Sequence, residues 1–147
     1  MAIIEESIEI NQPATTVFAY VTDMKNLPRW ELNALEAEQI SPEPMCVGTT
    51  LCGVNRAMGM KMPWTSKITE YEPDKKCCEV ITSGSTRIDE SLTFEPTDIG
   101  TKFTQVYDMK IGGLLKLMSP MVVSSMRKQV KANLSNLKSI LELEGNP

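Results

Sequence analysis

The segment SPMVVSSMRKQVKANLSNLKSILEL, residues 119–143, carries the helical pattern on which the fold assignment depends. Ser119 followed by Pro120 is typical of a helix N-cap and first helical residue, and a helix of this length spans roughly 36 Å. At about 100° per residue, one arc of about 120° contains most of the large apolar side chains, and the lysines of the segment lie outside it. The apolar side chains in the arc are Val122, Val123, Met126, Val130, Leu134, Leu137, Ile140 and Leu141. A helix with such a continuous apolar face must pack on another apolar surface.

The chain before this helix shows the period of two that is typical of β-strands. Turn signals rich in Pro, Gly, Ser and Asp separate the strands. Predicted strands cover residues 3–10, 36–40, 49–58, 61–71, 77–82, 87–94 and 102–111, and two predicted short helices after the first strand cover residues 13–23 and 26–30. This order predicts an α+β fold in which a curved antiparallel sheet wraps around the long C-terminal helix.

Composition predicts one globular domain that covers residues 1–147. Hydrophobic residues make up 41% and charged residues 23%, which excludes a disordered chain. The net charge of −4 argues against a nucleic-acid partner, because such a partner requires a broad basic surface. The absence of histidine removes the commonest general base and the usual nitrogen ligand of metals. It also removes the Ser-His and Cys-His routes to an activated nucleophile, so most hydrolase mechanisms are excluded.

The N-terminal sequence MAIIEESIEI carries acidic residues where a secretory signal carries basic ones. No apolar run approaches the roughly 18 residues that a membrane span requires. The richest run, residues 114–123, is interrupted by Lys116, Ser119 and Pro120. We therefore expect a cytoplasmic protein without an integral membrane segment.

The cysteines form no C-x-x-C pair. Cys77 and Cys78 are neighbours in a predicted strand and point to opposite faces, so they are poorly placed to share a metal ion. This pattern favours reduced structural thiols over a zinc site, and no cofactor is predicted.

Charged residues are distributed unevenly along the chain. Residues 1–45 contain eight acids and two bases, a net charge of −6, whereas residues 110–147 contain six bases and two acids, a net charge of +4. A solvated helix face that complements the acidic start of the chain explains this pattern. The alternative is a basic helix that binds an acidic protein partner.

Short motifs occur in a fixed order along nearly the whole chain. They are VFAYVTD at 17–23, NLPRW at 26–30, VGT at 47–49, TEYEP at 69–73, TFEP at 93–96 followed by Gly100-Thr101, and GGLL at 112–115. In this order and spacing they resemble the START/Bet v 1-like (SRPBCC) helix-grip superfamily, in its branch of polyketide cyclase/dehydrase-like small proteins. The resemblance implies a long C-terminal helix gripped by a strongly curved sheet, two short helices that close one end, and an internal cavity. It also implies that the cavity binds a lipid, sterol, quinone or polyketide, since members of the superfamily bind such molecules. Only some members are enzymes.

Period-two alternation predicts which strand residues face the long helix: if Leu92 and Phe94 point inward, so does Glu90. The same reasoning places polar side chains beside apolar ones on two other strands, and the helical wheel places an asparagine inside the apolar arc. Each unpartnered buried polar group costs roughly 1 to 3 kcal/mol, so these side chains predict a cavity that holds water or a ligand. The predicted ligand-binding residues are Met62, Trp64, Glu90, Gln105, Tyr107, Met109, Met126 and Asn133. Alternatively, the polar members of this set pair with one another or emerge at the rim of the sheet.

Three functions are compatible with this arrangement. The first is binding or transport of a small hydrophobic ligand (a lipid, a quinone or a polyketide-like molecule), oriented by interior polar groups. The second is a polyketide cyclase or dehydratase-like enzyme, in which Glu90 abstracts a proton and Tyr107 or Asn133 stabilises the developing oxyanion. The third, which the resemblance suggests, is a partner-binding module of the chaperone-activator type.

Overall fold

An antiparallel sheet and one long helix dominate the computed structural model, which describes residues 2–112, 116 and 119–144. Along the chain the elements are β1 Ala2–Ile10, α1 Ala14–Thr22, α2 Leu27–Trp30, β2 Ala34–Gln39, β3 Thr50–Ala57, β4 Met60–Glu72, β5 Lys76–Ser83, β6 Thr86–Pro96, β7 Thr101–Lys110 and α3 Ser119–Glu144. The described strands lie in the order β1-β7-β6-β5-β4-β3-β2, and every neighbouring pair is antiparallel. The predicted α+β class and helix-grip arrangement are confirmed. Of the GGLL motif, only Gly112 lies among the described residues.

The strand boundaries agree with the predicted ones to within two residues. The largest difference at a strand start is in β2, which begins at Ala34 rather than at Glu36. The register between β2 and β3 shifts between these two residues, and Leu35 is exposed. This irregularity interrupts the alternation of apolar and polar side chains, which is why the sequence pattern becomes visible only at Glu36.

The register of β5, β6 and β7 places three polar residues side by side. Glu79 pairs with Glu90, and Glu90 pairs with Tyr107 on the next strand. The hairpin between β5 and β6 turns at Gly84, whose φ of 58° suits a tight hairpin connection. Because directly paired residues share one face of a sheet, all three side chains project toward the same side.

The C-terminal half of α3 packs against the sheet and against the connection between β1 and α1. The Lys138 ammonium group donates a hydrogen bond to the Glu9 carbonyl oxygen at 2.6 Å, and Gln12 Nε2 donates to the Leu141 carbonyl oxygen at 3.0 Å. The apolar side chains buried along this half are Leu134, Leu137 and Leu141, and Val130 is buried just before it. These contacts fix the end of the helix over β1.

The N-terminal half of α3 is packed less closely. Val122, Val123 and Met126 belong to the same apolar arc, but each of them remains partly exposed. The helix therefore approaches the sheet closely at its C-terminal end and leaves space beneath its N-terminal end.

Aromatic rings pack α1 and α2 onto the concave face of the sheet. The ring centroids of Phe18 and Phe94 lie 5.1 Å apart, as do those of Phe94 and Phe103. Trp30 at the end of α2 contacts Phe103 edge-on, with ring centroids 6.1 Å apart. Contacts of this kind add about 0.5 to 1.5 kcal/mol per pair beyond the burial of area, so they hold both short helices in place.

Candidate functional site

A cavity of about 150 Å³ lies between the N-terminal half of α3, the concave face of the sheet and α2. Apolar side chains from β4, β6, β7 and α3 form most of its wall, among them Trp64, Ile88, Met109 and Met126. Met58 and Met60 also line it and are exposed, so the cavity reaches the surface beside the β3–β4 hairpin. A cavity of about this volume accommodates one aromatic ring, and a larger ligand extends toward this opening.

The indole of Trp64 is held in place by its neighbours on β3. Trp64 pairs with Gly53, and a Cβ atom at position 53 would lie 2.5 Å from the indole ring. The glycine therefore leaves the space in which the indole lies across β3. Trp64 Nε1 donates a hydrogen bond to Asn55 Oδ1 at 3.0 Å. One wall of the cavity is thus a fixed aromatic surface.

Polar side chains gather on another part of the cavity wall, around Glu90. Gln105 Nε2 donates to Glu90 Oε2 at 2.6 Å and to the Tyr107 hydroxyl oxygen at 3.0 Å. The same nitrogen lies 3.5 Å from Oε1 of Glu31, which follows directly after α2. Tyr107 and Glu79 also form hydrogen bonds with the Glu90 carboxyl group. We call these five residues the acid cluster.

Burial changes the protonation of the three carboxyl groups in the acid cluster. It raises the pKa of Glu31 to about 8, with repulsion from Glu90 as the second cause. Burial and the same repulsion raise the pKa of Glu79 well above its usual value. Burial also raises the pKa of Glu90, but hydrogen bonds from Gln105, Glu79 and Tyr107 oppose this rise.

Glu31 is the member of the acid cluster whose protonation at neutral pH follows from these shifts. A pKa of about 8 leaves its carboxyl group mostly protonated, and the pKa values of Glu79 and Glu90 are raised in the same direction. Among the residues that the structure describes, no lysine or arginine lines the cavity. The cavity thus combines an apolar wall with a cluster of hydrogen-bonded carboxyl groups.

Six of the eight predicted site residues line the cavity: Met62, Trp64, Glu90, Tyr107, Met109 and Met126. Gln105 faces the interior but does not line the cavity, because Glu31, Glu90 and Tyr107 surround its amide nitrogen. Its contribution to the site is to orient Glu90 and Tyr107.

Asn133 lies off the cavity wall, contrary to its predicted place. Its Oδ1 accepts hydrogen bonds from the Leu32 amide at 2.9 Å and from Gln129 Nε2 at 3.0 Å. Its Nδ2 donates to Asn33 Oδ1 at 3.0 Å. These bonds use the amide to connect α3 to the loop after α2.

Sequence reasoning missed Glu31 and Glu79. A signal for Glu79 is present in the sequence, since a hairpin centred on Gly84 and Ser85 pairs residue 79 with Glu90. For Glu31 no comparable signal exists, because a helix of four residues shows no periodicity and its position depends on long-range packing.

Two expectations from the sequence concern metal sites and membrane-spanning helices. In the described part of the chain, no group of three or more His, Cys, Asp and Glu side chains is arranged to hold a metal ion. Cys77 and Cys78 are both buried in β5. None of the described helices is long and apolar enough to cross a membrane.

Comparison with known proteins provides a family match and a set of similar folds. The family model described as "Polyketide cyclase / dehydrase and lipid transport" matches residues 1–142. No curated protein shows significant sequence similarity to the chain.

Several solved structures have a fold similar to that of this chain. TTHA0849 from Thermus thermophilus has a TM-score of 0.84 at 19% identity, over 99% of this chain and 100% of that one. The Zhui aromatase/cyclase from Streptomyces sp. R1128 has a TM-score of 0.81 at 13% identity, over 96% and 93% of the two chains. Ara h 8.0201 has a TM-score of 0.71 at 14% identity, over 95% and 97%. At these identities the similarity establishes the fold.

Proposed function

The chain belongs to the polyketide cyclase/dehydrase and lipid transport family, and from this premise we propose that it binds a small hydrophobic ligand in the cavity beneath α3. A lipid, a quinone or a polyketide-like molecule meets this description. The observation that carries the proposal is the cavity itself, which has an apolar wall and one polar region on it. Ligand sites in proteins combine these features, because apolar burial supplies affinity and a few polar groups supply orientation.

The size of the cavity determines how much affinity burial alone supplies. A buried aromatic ring removes roughly 150 Å² of apolar surface from water, which contributes about 4 kcal/mol at about 25 cal/mol per Å². That free energy corresponds to a Kd of about 1 mM. Tighter binding therefore requires hydrogen bonds to the acid cluster, or a ligand whose apolar body continues past Met58 and Met60.

A cavity-filling substitution tests the proposal. Met126→Trp places an indole in the cavity from α3, whereas Met121→Trp adds the same side chain at an exposed position outside the cavity. We expect the unmodified protein and Met121→Trp to bind a neutral naphthalene probe in a saturable manner, measured by probe fluorescence. Met126→Trp should weaken binding at least about tenfold. Equal binding by both variants would show that the probe binds outside the cavity and would contradict the proposal.

Catalysis is a second candidate function, favoured by the hydrogen-bonded carboxyl pair of Glu79 and Glu90 on the cavity wall. A carboxylate held in an apolar site has a proton affinity suited to general base catalysis. Glu90 would remove a proton from an acidic carbon of the ligand, and the electron pair of the C–H bond would pass to the adjacent carbonyl oxygen.

Deuterium exchange at the acidic carbon of a β-diketone, followed by NMR, tests this second function. Acceleration by the unmodified protein that is lost in Glu90→Gln, with probe affinity retained, would support catalysis. Glu95→Gln on the exposed face of β6 is the matched control. Exchange at the rate of buffer alone would leave ligand binding as the function.

A further inference from the structure

One end of the molecule carries the opening of the cavity. Here the β3–β4 hairpin, the β5–β6 hairpin, the end of β7 and the start of α3 lie together around the cavity. We call this region the mouth surface and define it as residues 56–62, 83–87, 110–112, 116 and 119–126. Its charged residues are all bases and all exposed: Arg56, Lys61, Arg87, Lys110 and Lys116. The end of the molecule at which the cavity opens is therefore positively charged.

The bases of the mouth surface are only partly neutralised within the sheet. Arg56 and Lys61 are cross-strand partners, and like charges directly opposite each other destabilise a sheet. Arg87, the cross-strand partner of Lys110, forms an ion pair with Asp89 at 3.3 Å. No such pair joins Arg56 or Lys61 to a carboxylate in the part of the chain that the structure describes. Their positive charge is available to an anionic partner.

Exposed methionines lie among these bases. Met58 and Met60 are 41% and 53% exposed at the tip of the β3–β4 hairpin, and Met121 is 62% exposed in the first turn of α3. Met58 has a φ of 51° and Gly59 a φ of 79°. A tight turn of this kind favours Asn, Asp or Gly, so a methionine at the first position costs conformational energy. The hairpin thus holds an apolar tip in water between two bases.

The rest of the chain has the opposite charge. The mouth surface contains five of the 15 bases and none of the 19 acids, so ten bases face 19 acids elsewhere, a net charge of −9. β4 runs from the mouth surface to the other end of the sheet, and its 13 residues span about 40 Å at about 3.3 Å per residue. Salt screens exposed charges over about 8 Å at physiological ionic strength. An anionic surface therefore attracts the mouth surface and turns the acidic remainder of the molecule away.

We propose that the mouth surface docks on a lipid bilayer that contains anionic phospholipids. The bases would contact the headgroup phosphates, and Met58 and Met60 would enter the boundary between headgroups and acyl chains. This layered chemistry matches an apolar tip between two bases. Nucleic acid offers phosphates without an apolar layer beneath them. Docking itself requires no ligand in the cavity and is therefore independent of the proposed function.

Docking in this orientation places the opening of the cavity against the bilayer. Met58 and Met60 line the cavity as well as the tip of the hairpin. A hydrophobic ligand would therefore pass between the bilayer and the cavity without entering bulk water, where exposure of its apolar surface is costly. This consequence for ligand exchange rests on the proposed function.

Flotation with lipid vesicles tests the proposal on the unmodified protein. One set of vesicles contains phosphatidylcholine alone, and the other contains phosphatidylcholine and phosphatidylglycerol in equal parts. We expect the protein to bind the anionic vesicles at least about tenfold more strongly than the neutral ones, and to dissociate as salt is added. Equal binding to both kinds of vesicle, or binding to neither, would overturn the proposal. Binding of the naphthalene probe without vesicles would then still decide the proposed function.

Two pairs of variants separate the roles of the charge and of the apolar tip. Lys61→Gln should weaken binding to the anionic vesicles about fivefold, and Met60→Ser about tenfold. Their controls, Lys75→Gln and Ile99→Ser, change exposed residues in the turns after β4 and β6 and should leave binding unchanged. A loss with Lys61→Gln but not with Met60→Ser would indicate recognition by charge alone, as by an acidic protein, and would contradict insertion into a bilayer.

A tryptophan at the tip of the hairpin measures insertion. With anionic vesicles, the fluorescence of Met60→Trp should shift to shorter wavelength and be quenched by brominated acyl chains, whereas Ile99→Trp should show neither change. The chain's own Trp30 and Trp64 are buried, and the unmodified protein supplies their background signal. A Met60→Trp variant that binds vesicles without a shift or quenching would also overturn the proposal.

Discussion

Replacement of Glu31 by glutamine should make the protein more stable at neutral pH and leave it nearly unchanged in mild acid. Glu31 is 7% exposed, and burial raises its pKa from 4.5 to about 8. The unfolded chain releases the proton of this carboxyl group at a lower pH than the folded chain does. The folded state therefore loses stability as the pH rises from about 4.5 to about 8.

The size of this effect follows from the pKa values. One pKa unit corresponds to about 1.4 kcal/mol, so Glu31 lowers the free energy of unfolding by roughly 3 kcal/mol between pH 4.5 and pH 7. Glu79 and Glu90 contribute with the same sign, because burial raises their pKa as well. Glu31→Gln removes the ionisable group and keeps an acceptor oxygen beside Gln105. It should raise the free energy of unfolding by roughly 3 kcal/mol at pH 7, and change it by less than about 1 kcal/mol at pH 4.5.

Urea unfolding followed by far-ultraviolet circular dichroism measures the free energy of unfolding of the unmodified protein and of Glu31→Gln. The measurements run from about pH 4.5 to about pH 8. Glu95→Gln serves as the control, since it removes an exposed carboxyl group from the same sheet. Parallel pH profiles for the unmodified protein and Glu31→Gln would refute the reasoning. So would an unmodified protein whose stability increases over this range.

Three further predictions concern packing, the loop connection and the thiols. Leu137→Ala, at a side chain that is 0% exposed, should cost about 2 to 5 kcal/mol in urea unfolding, whereas Leu143→Ala, at 77% exposure, should change stability by less than about 0.5 kcal/mol. Asn133→Ala should cost about 1 to 3 kcal/mol because it leaves the Leu32 amide without its acceptor, and an equal effect of Ser135→Ala on the exposed face of α3 would contradict this explanation. Iodoacetamide should modify exposed Cys46 in the folded protein and reach Cys77 only in denaturant, because Cys77 is buried and burial raises the pKa of its thiol. Mass spectrometry of peptides measures the modification of each cysteine. Equal rates of modification in the folded protein would contradict this prediction.

Most of the fold was predictable because its signals are local. The apolar arc of α3 depends only on spacing within one segment, and alternation along β4, β6 and β7 depends only on neighbouring positions. Both patterns correctly predicted which side chains face the interior, including Glu90 and Tyr107. Local alternation failed at the irregular start of β2 and again in β4, where the register shifts between Ile68 and Glu70.

The parts of the site that could not be predicted depend on contacts between distant segments. Asn133 was correctly placed on the buried face of α3, but its partners lie about a hundred residues earlier, in a loop whose position no periodicity reveals. Glu31 enters the acid cluster because α2 packs against Phe103 through Trp30. Such placements result from tertiary packing, and a single sequence carries no local pattern for them.

The uneven packing of α3 has a practical consequence for protein engineering. Substitutions at Val122, Ser125 and Met126 reshape the cavity from a part of the helix that contributes little buried surface. The residues that keep the chain folded lie roughly one to five helical turns away, from Val130 to Leu141. Libraries restricted to the first half of this helix should therefore explore new ligand preferences while most variants keep a cooperative unfolding transition.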